Sequence, residues 1–199
     1  MQIILTDCDG VLLDWNKLFV EWMAHKGFVE IQQGTYCISE RYGIEKAQSR
    51  KFVREFNESA AIRYLKPFRD SMHYVRRLYE EHGYQLRVIT SLSHDPWAIK
   101  AREENLKLIF GDAIESVICL ETGADKDEAL APYKDSGLFW IEDKYENAVV
   151  GHELGLRTIL IDHDHNESAE EYVNGKYIWR AHTWADVYVA VTSNINRLK

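Results

Sequence analysis

Two aspartates one residue apart, Asp7 and Asp9, are followed directly by Gly10 and Val11. Further along the chain stand Thr90-Ser91, Lys126 and the acidic pair Glu142-Asp143. Brought together, these residue types can carry out phosphoryl transfer. A carboxylate can attack phosphorus and form an acyl-phosphate, which splits one difficult hydrolysis into two easier steps. Asp7 is the candidate nucleophile. Asp9, two residues on, can point to the same side of an extended chain, protonate the leaving oxygen, and later deprotonate the attacking water. Carboxylates held this close are costly unless a cation joins them, and an all-oxygen donor set suits Mg²⁺. The Thr90 hydroxyl and the Lys126 ammonium can hold the phosphoryl oxygens as charge redistributes. Gly10 would let the chain turn sharply beside the substrate.

Such groups are useful only if the fold gathers them. Short apolar runs at Gln2–Thr6, Gln85–Thr90, Ser116–Leu120, Leu138–Ile141, Arg157–Ile161 and Tyr177–Trp179 read as buried strands. Helical periodicity fills the intervals: one helix from Pro67 to Gly83, with Met72, Val75, Leu78 and Tyr79 on one face, and others over His94–Phe110, Lys126–Tyr133, Lys144–Leu154 and Thr183–Ile195. Alternating strands and helices predict an α/β fold with a parallel sheet covered on both faces. Ligands then bind beyond the carboxyl ends of the strands, at a topological switch point. The candidate residues all stand at strand ends or helix starts.

One interval breaks the rhythm. Between Asp14 and Leu65 there is no strand run, only helical patterns around Asp14–His25 and Lys46–Ser59. Residues 14–64 are therefore expected to form a small helical cap subdomain inserted after the first strand. Residues 1–13 and 65–199 would make the core domain, with Ser193–Lys199 a fraying end.

Composition narrows the partners. With 199 residues, 46% hydrophobic and 28% charged, the chain can bury a sizeable core. A net charge of −8 argues against a nucleic acid polymer as ligand, since there is no basic track to displace counterions. Cys8, Cys37 and Cys119 are odd in number and form no C-x-x-C pair, which suits a reducing cytoplasm. There is no basic leader at the start and no apolar run of membrane-spanning length. The expectation is a cytoplasmic monomer or homodimer acting on a small phosphorylated metabolite.

The ordered set Asp7-x-Asp9-Gly10-Val11, Thr90, Lys126 and Glu142-Asp143 resembles the four motifs of the haloacid dehalogenase (HAD) superfamily. That resemblance implies a Rossmann-like HAD fold, with Asp7 as nucleophile and metal ligand and Asp9 as acid/base with its carbonyl on the metal. Thr90, Ser91 and Lys126 would hold phosphate. Asp143, with Glu142 directly or through water, would complete a Mg²⁺ site. The run Asp7–Trp15, the segment Tyr36–Gly43 and Glu142-Asp143-Lys144 look most like the 5′(3′)-deoxyribonucleotidases. By that likeness Trp15, Tyr36, Ile38, Ser39 and Lys144 would contact substrate, and nucleoside 5′-monophosphates become the first candidates. Cys37 stands where an aromatic is expected, Leu92 replaces a proline, and the stretch from Lys126 to Glu142 is longer.

Taken singly, each residue also has a bland explanation. Thr90-Ser91 would serve as a helix N-cap, Lys126 as a surface lysine, and Glu142-Asp143 as charges favouring a helix dipole. Phe19 and Trp22 read as cap core, and Trp179, Trp184 and Val187 as structural. The tract Asp162-His163-Asp164-His165 reads as a solvated loop rather than a metal site. Cys8, pointing away from the two acids, reads as packing rather than a nucleophile. A phosphomutase, a phosphonatase or a catalytically quiet phosphate-binding protein remain alternatives on the same scaffold.

Overall fold

The computed structural model describes residues 2–169, 172–173 and 176–193. Strand β1 (Gln2–Thr6) leads into three helices, α1 (Trp15–His25), α2 (Ile38–Tyr42) and α3 (Lys46–Asn57). Helix α4 (Ser71–His82) and β2 (Tyr84–Ser91) follow, then α5 (Pro96–Phe110), β3 (Ile114–Leu120), the single turn α6 (Asp127–Leu130) and β4 (Phe139–Glu142). The chain continues through α7 (Tyr145–Glu153), β5 (Arg157–Ile161), a short antiparallel hairpin β6 (Tyr172–Val173) and β7 (Lys176–Tyr177), β8 (Trp179–Ala181) and α8 (Trp184–Thr192).

Six strands form one sheet in the order β3-β2-β1-β4-β5-β8, and every pairing is parallel. The chain runs outward from β1 through β2 to β3, then returns to the other side of β1 and runs outward again. The reversal lies between β1 and β4, where an open α/β sheet forms its ligand crevice. Apolar runs such as Ile4-Leu5 and Trp140-Ile141 are buried because helices cover both faces.

Local chemistry sets the helix ends. Asp95 Oδ1 accepts from the backbone N–H groups of Trp97 and Ala98, and Pro96 occupies the first turn of α5. Thr183 and Asp186 form a capping box on α8. Gly83 closes α4 in the left-handed conformation, as the sequence suggests.

Several expectations shift. The helix expected from Pro67 starts only at Ser71, because Arg69 has a positive φ of 45° that no helix accepts. Pro67 instead pairs with Leu13, and Phe68 N–H donates to Leu12 O at 2.8 Å, which ties this segment to the end of the first loop. Met72 is consequently exposed rather than part of the inner face. The last sheet strand is β8, which starts on the final residue of the apolar run Tyr177–Trp179, and Tyr177 lies in the separate hairpin. Trp179 on this edge strand is 39% exposed, whereas Trp184 and Val187 are buried. The expected helix Thr183–Ile195 is α8, ending at Thr192; residues 194–199 of the expected fraying end lie outside the described residues.

The interval after β1 contributes no sheet strand, only α1, α2, α3 and a 3₁₀ turn at Ala60–Tyr64. Its apolar side chains Phe19, Met23, Phe56 and Ile62 belong to one buried cluster with Ile4, Val88 and Ile141 of the sheet. Among the described residues no helix is long and apolar enough to cross a membrane.

Candidate active site

Parallel pairing brings the ends of β1, β2 and β4 together. Thr6 pairs with Ile141 and with Val88, and the Asp7 N–H donates to Ile141 O at 2.8 Å. Asp7, Thr90 and Glu142-Asp143 therefore emerge side by side from the carboxyl edge. Lys126, just before α6, reaches into the same place. Its ammonium lies 2.8 Å from Asp7 Oδ1 and 2.8 Å from Glu142 Oε2. Asp7 Oδ1 also accepts the Cys8 N–H at 2.7 Å, so both contacts fall on one carboxylate oxygen.

Glu142 is held on both oxygens: Oε2 by Lys126, Oε1 by the N–H groups of Asp143 and Lys144, each at 3.0 Å. Asp7, Glu142 and Asp143 are buried, with one ligand atom from each within 4.8 Å of the others. Burial raises the Asp7 carboxyl well above the usual carboxylate range, with the Glu142 charge adding to it and Lys126 opposing it. Burial and the Asp7 charge likewise raise Asp143. Burial opposes the charge on Lys126, but Asp7 and Glu142 outweigh it and keep the amine firmly protonated. The donor set fits a hard divalent cation: desolvated oxygen ligands with more negative charge than one ammonium can balance.

A cavity of about 910 Å³ opens above this edge. Asp7, Asp9, Thr90, Ser91, Lys126 and Asp143 border its floor. Trp15, Tyr36, Ile38 and Lys144 border it as well. Ser91 donates to Ala124 O at 2.8 Å. Tyr36 is 57% exposed and has the Lys144 ammonium 5.8 Å from its ring centre. Trp15 stacks on Phe19 at 4.4 Å and donates from Nε1 to Asn57 Oδ1 at 2.9 Å. Ser39 does not border the cavity; it is buried, with its hydroxyl 3.0 Å from Cys37 Sγ. Phe19 is buried and Trp22 packs on Phe52 and Phe56. Cys8 is fully buried, and burial pushes its thiol up, away from the reactive thiolate form.

The tract Asp162–His165 is only partly solvated: Asp164 is exposed, and Asp162, His163 and His165 are half-buried. Asn166 Nδ2 donates to both Asp143 O and Ile161 O, which folds the residues after β5 back over the site. His163 stacks on Phe68 at 4.9 Å, and its Nε2 lies 2.7 Å from Gly10 O. The His163 side chain also accepts from the Asn166 N–H, which leaves the ring hydrogen on Nε2, donating to Gly10. Nε2 of His165 lies 3.2 Å from Asp143 O and 3.5 Å from Asp143 Oδ2. Asp143, His163 and His165 are thus close enough to suggest a metal cluster. With His163 Nε2 committed as a donor, they act instead as a clamp on the loops that carry Gly10 and Asp143. Burial lowers the His163 pKa to about 4 and shifts that of His165 in the same direction, opposing charge on both rings.

Sequence reasoning missed this clamp and a second partner. Arg102, on the buried face of α5, donates from Nη2 to Asp9 Oδ2 at 3.0 Å and from Nη1 to Asp9 Oδ1. The available signal was an arginine on an apolar helix stripe, beside Ala98, Ala101 and Leu106. For the histidines it was their position just past a strand at the ligand edge.

No family model matches the chain. An uncharacterised 32.4 kDa protein of Enterobacteria phage T4 is 26% identical over 140 residues, covering 66% of this chain and 49% of its own length. The chain thus spans about half the length of the curated relative it matches. A haloacid dehalogenase-like hydrolase from Streptococcus pneumoniae superposes with a TM-score of 0.66 at 15% identity, covering 96% of this chain and 99% of that one. The D,D-heptose 1,7-bisphosphate phosphatase of B. bronchiseptica, complexed with magnesium and phosphate, gives 0.61 at 11% identity over 97% and 99%. The L-2-haloacid dehalogenase of Xanthobacter autotrophicus gives 0.63 at 9% identity over 98% and 99%. The six-stranded parallel sheet and these superpositions together establish the fold of the HAD-like hydrolases.

Proposed function

We propose that the protein is a Mg²⁺-dependent phosphatase that hydrolyses small phosphomonoesters through an aspartyl-phosphate on Asp7, with nucleoside 5′-monophosphates as the first candidate substrates. The observation that carries this reading is Lys126 bridging Asp7 and Glu142 beside Asp143, at the sheet's switch point.

Asp7 and Asp143, with the Asp9 carbonyl, are the residues to hold the cation, and Glu142 stands behind them as the counter-ion of Lys126. The cation's contribution is to neutralise charge on the carboxylates and on the phosphoryl oxygens. Asp7 attacks phosphorus and the P–O bond to the leaving group breaks. Asp9 gives a proton to that leaving oxygen, then takes one from the water that cleaves the acyl-phosphate and releases inorganic phosphate. Lys126 and Thr90 steady the phosphoryl oxygens from the floor. Burial of the site excludes bulk water and strengthens each of these interactions.

The second aspartate favours phosphoryl transfer over dehalogenation, which needs no proton donor to a departing halide. The nucleotide preference draws on Trp15 and Tyr36, whose rings border a cavity of the size of a small ligand. The helical segment 14–64 would then serve as the cap over the transferred group. A panel of nucleoside monophosphates, sugar phosphates and 2-haloacids, each with Mg²⁺, tests the reading. Phosphate release lost in Asp7→Asn is expected; halide release, or phosphate release undiminished in Asp7→Asn, would refute it.

A further inference from the structure

Arg102 belongs to none of the residue groups that mark the site, yet it lies directly beneath them. It is 0% exposed, and both oxygens of the Asp9 carboxylate face its two terminal nitrogens. Nη1 also faces Cys8 Sγ, and Nε has no hydrogen-bond partner among the described residues. A guanidinium stays charged at any accessible pH, and burying one is expensive. An apolar side chain of similar volume would pack α5 against the sheet as well or better. Stability alone therefore does not account for Arg102.

The rest of the loop shows what it could be for. Asp9 pairs with Leu13, Gly10 N–H donates to Leu13 O at 2.9 Å, and His163 holds Gly10 O at 2.7 Å. The backbone on both sides of the Asp9 side chain is thus fixed, and only its side-chain torsions remain free. A planar fork of two N–H donors removes that freedom as well.

We propose that Arg102 is a positioning residue for Asp9, fixing from below the direction its carboxylate faces when it takes the proton from the attacking water, without touching substrate itself. This role rests on the phosphatase reading above. It accounts for a buried charge in an apolar helix face and for the bidentate geometry. It also predicts a specific energetic signature, because Arg102 can act only through Asp9.

The test is a double-mutant cycle with Mg²⁺, using p-nitrophenyl phosphate and glycerol 2-phosphate as probes. Arg102→Met should lower kcat about 10²-fold through loss of orientation, with KM within roughly twofold of the parent. The loss should appear with both probes, because the water attacks the same aspartyl-phosphate whichever group has left. Arg102→Lys, which keeps the charge but not the fork, should recover part of kcat. In an Asp9→Asn background Arg102→Met should cost nothing further. Equal losses in both backgrounds, or a loss confined to KM, would overturn the role while leaving the phosphatase reading intact. If Arg102→Met does not fold, judged by circular dichroism, Arg102→Lys carries the same cycle. No phosphate release from the unsubstituted protein overturns the phosphatase reading and this role with it.

Discussion

Lys126 Nζ lies 2.8 Å from Asp7 Oδ1, and neither side chain exposes more than 11% of its surface. A buried ammonium against a buried carboxylate has two consequences. It keeps one oxygen of Asp7 occupied, together with the Cys8 N–H, and so orients the carboxylate. It also places a positive charge where a phosphoryl group would accumulate negative charge. Glu142, gripped by the same ammonium, prevents Lys126 from being an excess buried charge.

Lys126→Met removes the shared cation and leaves two buried acids facing one another. Breaking a buried pair in this way costs about 3–5 kcal/mol of stability, and losing one transition-state donor costs about 10²–10³ in kcat. Guanidinium unfolding and phosphate release check the two effects separately. A variant that unfolds early but keeps its kcat would show that Lys126 is only structural.

Metal binding should depend on pH through the same carboxylates. The Asp7 carboxyl is pushed up to about 8 and that of Asp143 to about 7, by burial first and neighbouring charge second. A raised folded-state pKa contributes stability below the unfolded value near 4, and that contribution is lost as pH rises through 7 and 8. A divalent cation binds the ionised forms, so its stabilising effect should grow across the same window. Thermal unfolding with and without MgCl₂, from about pH 6 to about pH 9, should show an increasing gain in Tm. The increase should flatten in Asp143→Asn. A gain independent of pH would remove these two carboxyls from the metal site.

The gathering of the floor residues was legible in the sequence because strand ends are legible. Apolar runs ending in Asp7, Thr90 and Glu142 sit next to one another once the strands pair in parallel, and that pairing follows from βαβ alternation. What was not legible arises from side chains that reach across the fold. Arg102 lies 93 residues from Asp9 in sequence, and His163 lies 153 from Gly10. No local pattern reports such a distance, and an Asp-His-Asp-His tract looks like solvated surface until Asn166 folds it back onto Asp143. The start of α4 was misplaced for a different reason. Pro67 is a fair first-turn residue, but the positive φ at Arg69 delays the helix to Ser71.

Gly10→Ala should damage the site from its centre. Gly10 has φ +76°, and a Cβ there would sit 2.5 Å from Asp143 Oδ2 and 3.4 Å from His163 Nε2. The left-handed conformation alone costs a non-glycine residue about 1–2 kcal/mol, and the clash must also move Asp143. We expect a lower Tm together with weaker Mg²⁺ binding, measured by isothermal titration. Unchanged Mg²⁺ affinity would mean that Asp143 does not need its present position to hold the cation.

The proposed nucleotide preference is best tested at Tyr36, which is exposed where Trp15 is packed. The ring is 57% exposed, contacts His165 edge-on at 5.1 Å, and borders the cavity. Trp15, by contrast, stacks on Phe19 and anchors Asn57, so replacing it would also loosen the helices above the site. If Tyr36 stacks on a nucleobase, Tyr36→Ala should lose about 1–3 kcal/mol of binding, which raises KM for nucleoside monophosphates roughly 5- to 150-fold. The same variant should leave KM for p-nitrophenyl phosphate nearly unchanged and its Tm within a few degrees. A nucleotide KM that stays put, in a variant that is folded and active on p-nitrophenyl phosphate, would rule out base stacking by Tyr36. The substrate would then be sought among smaller phosphomonoesters that need no aromatic contact.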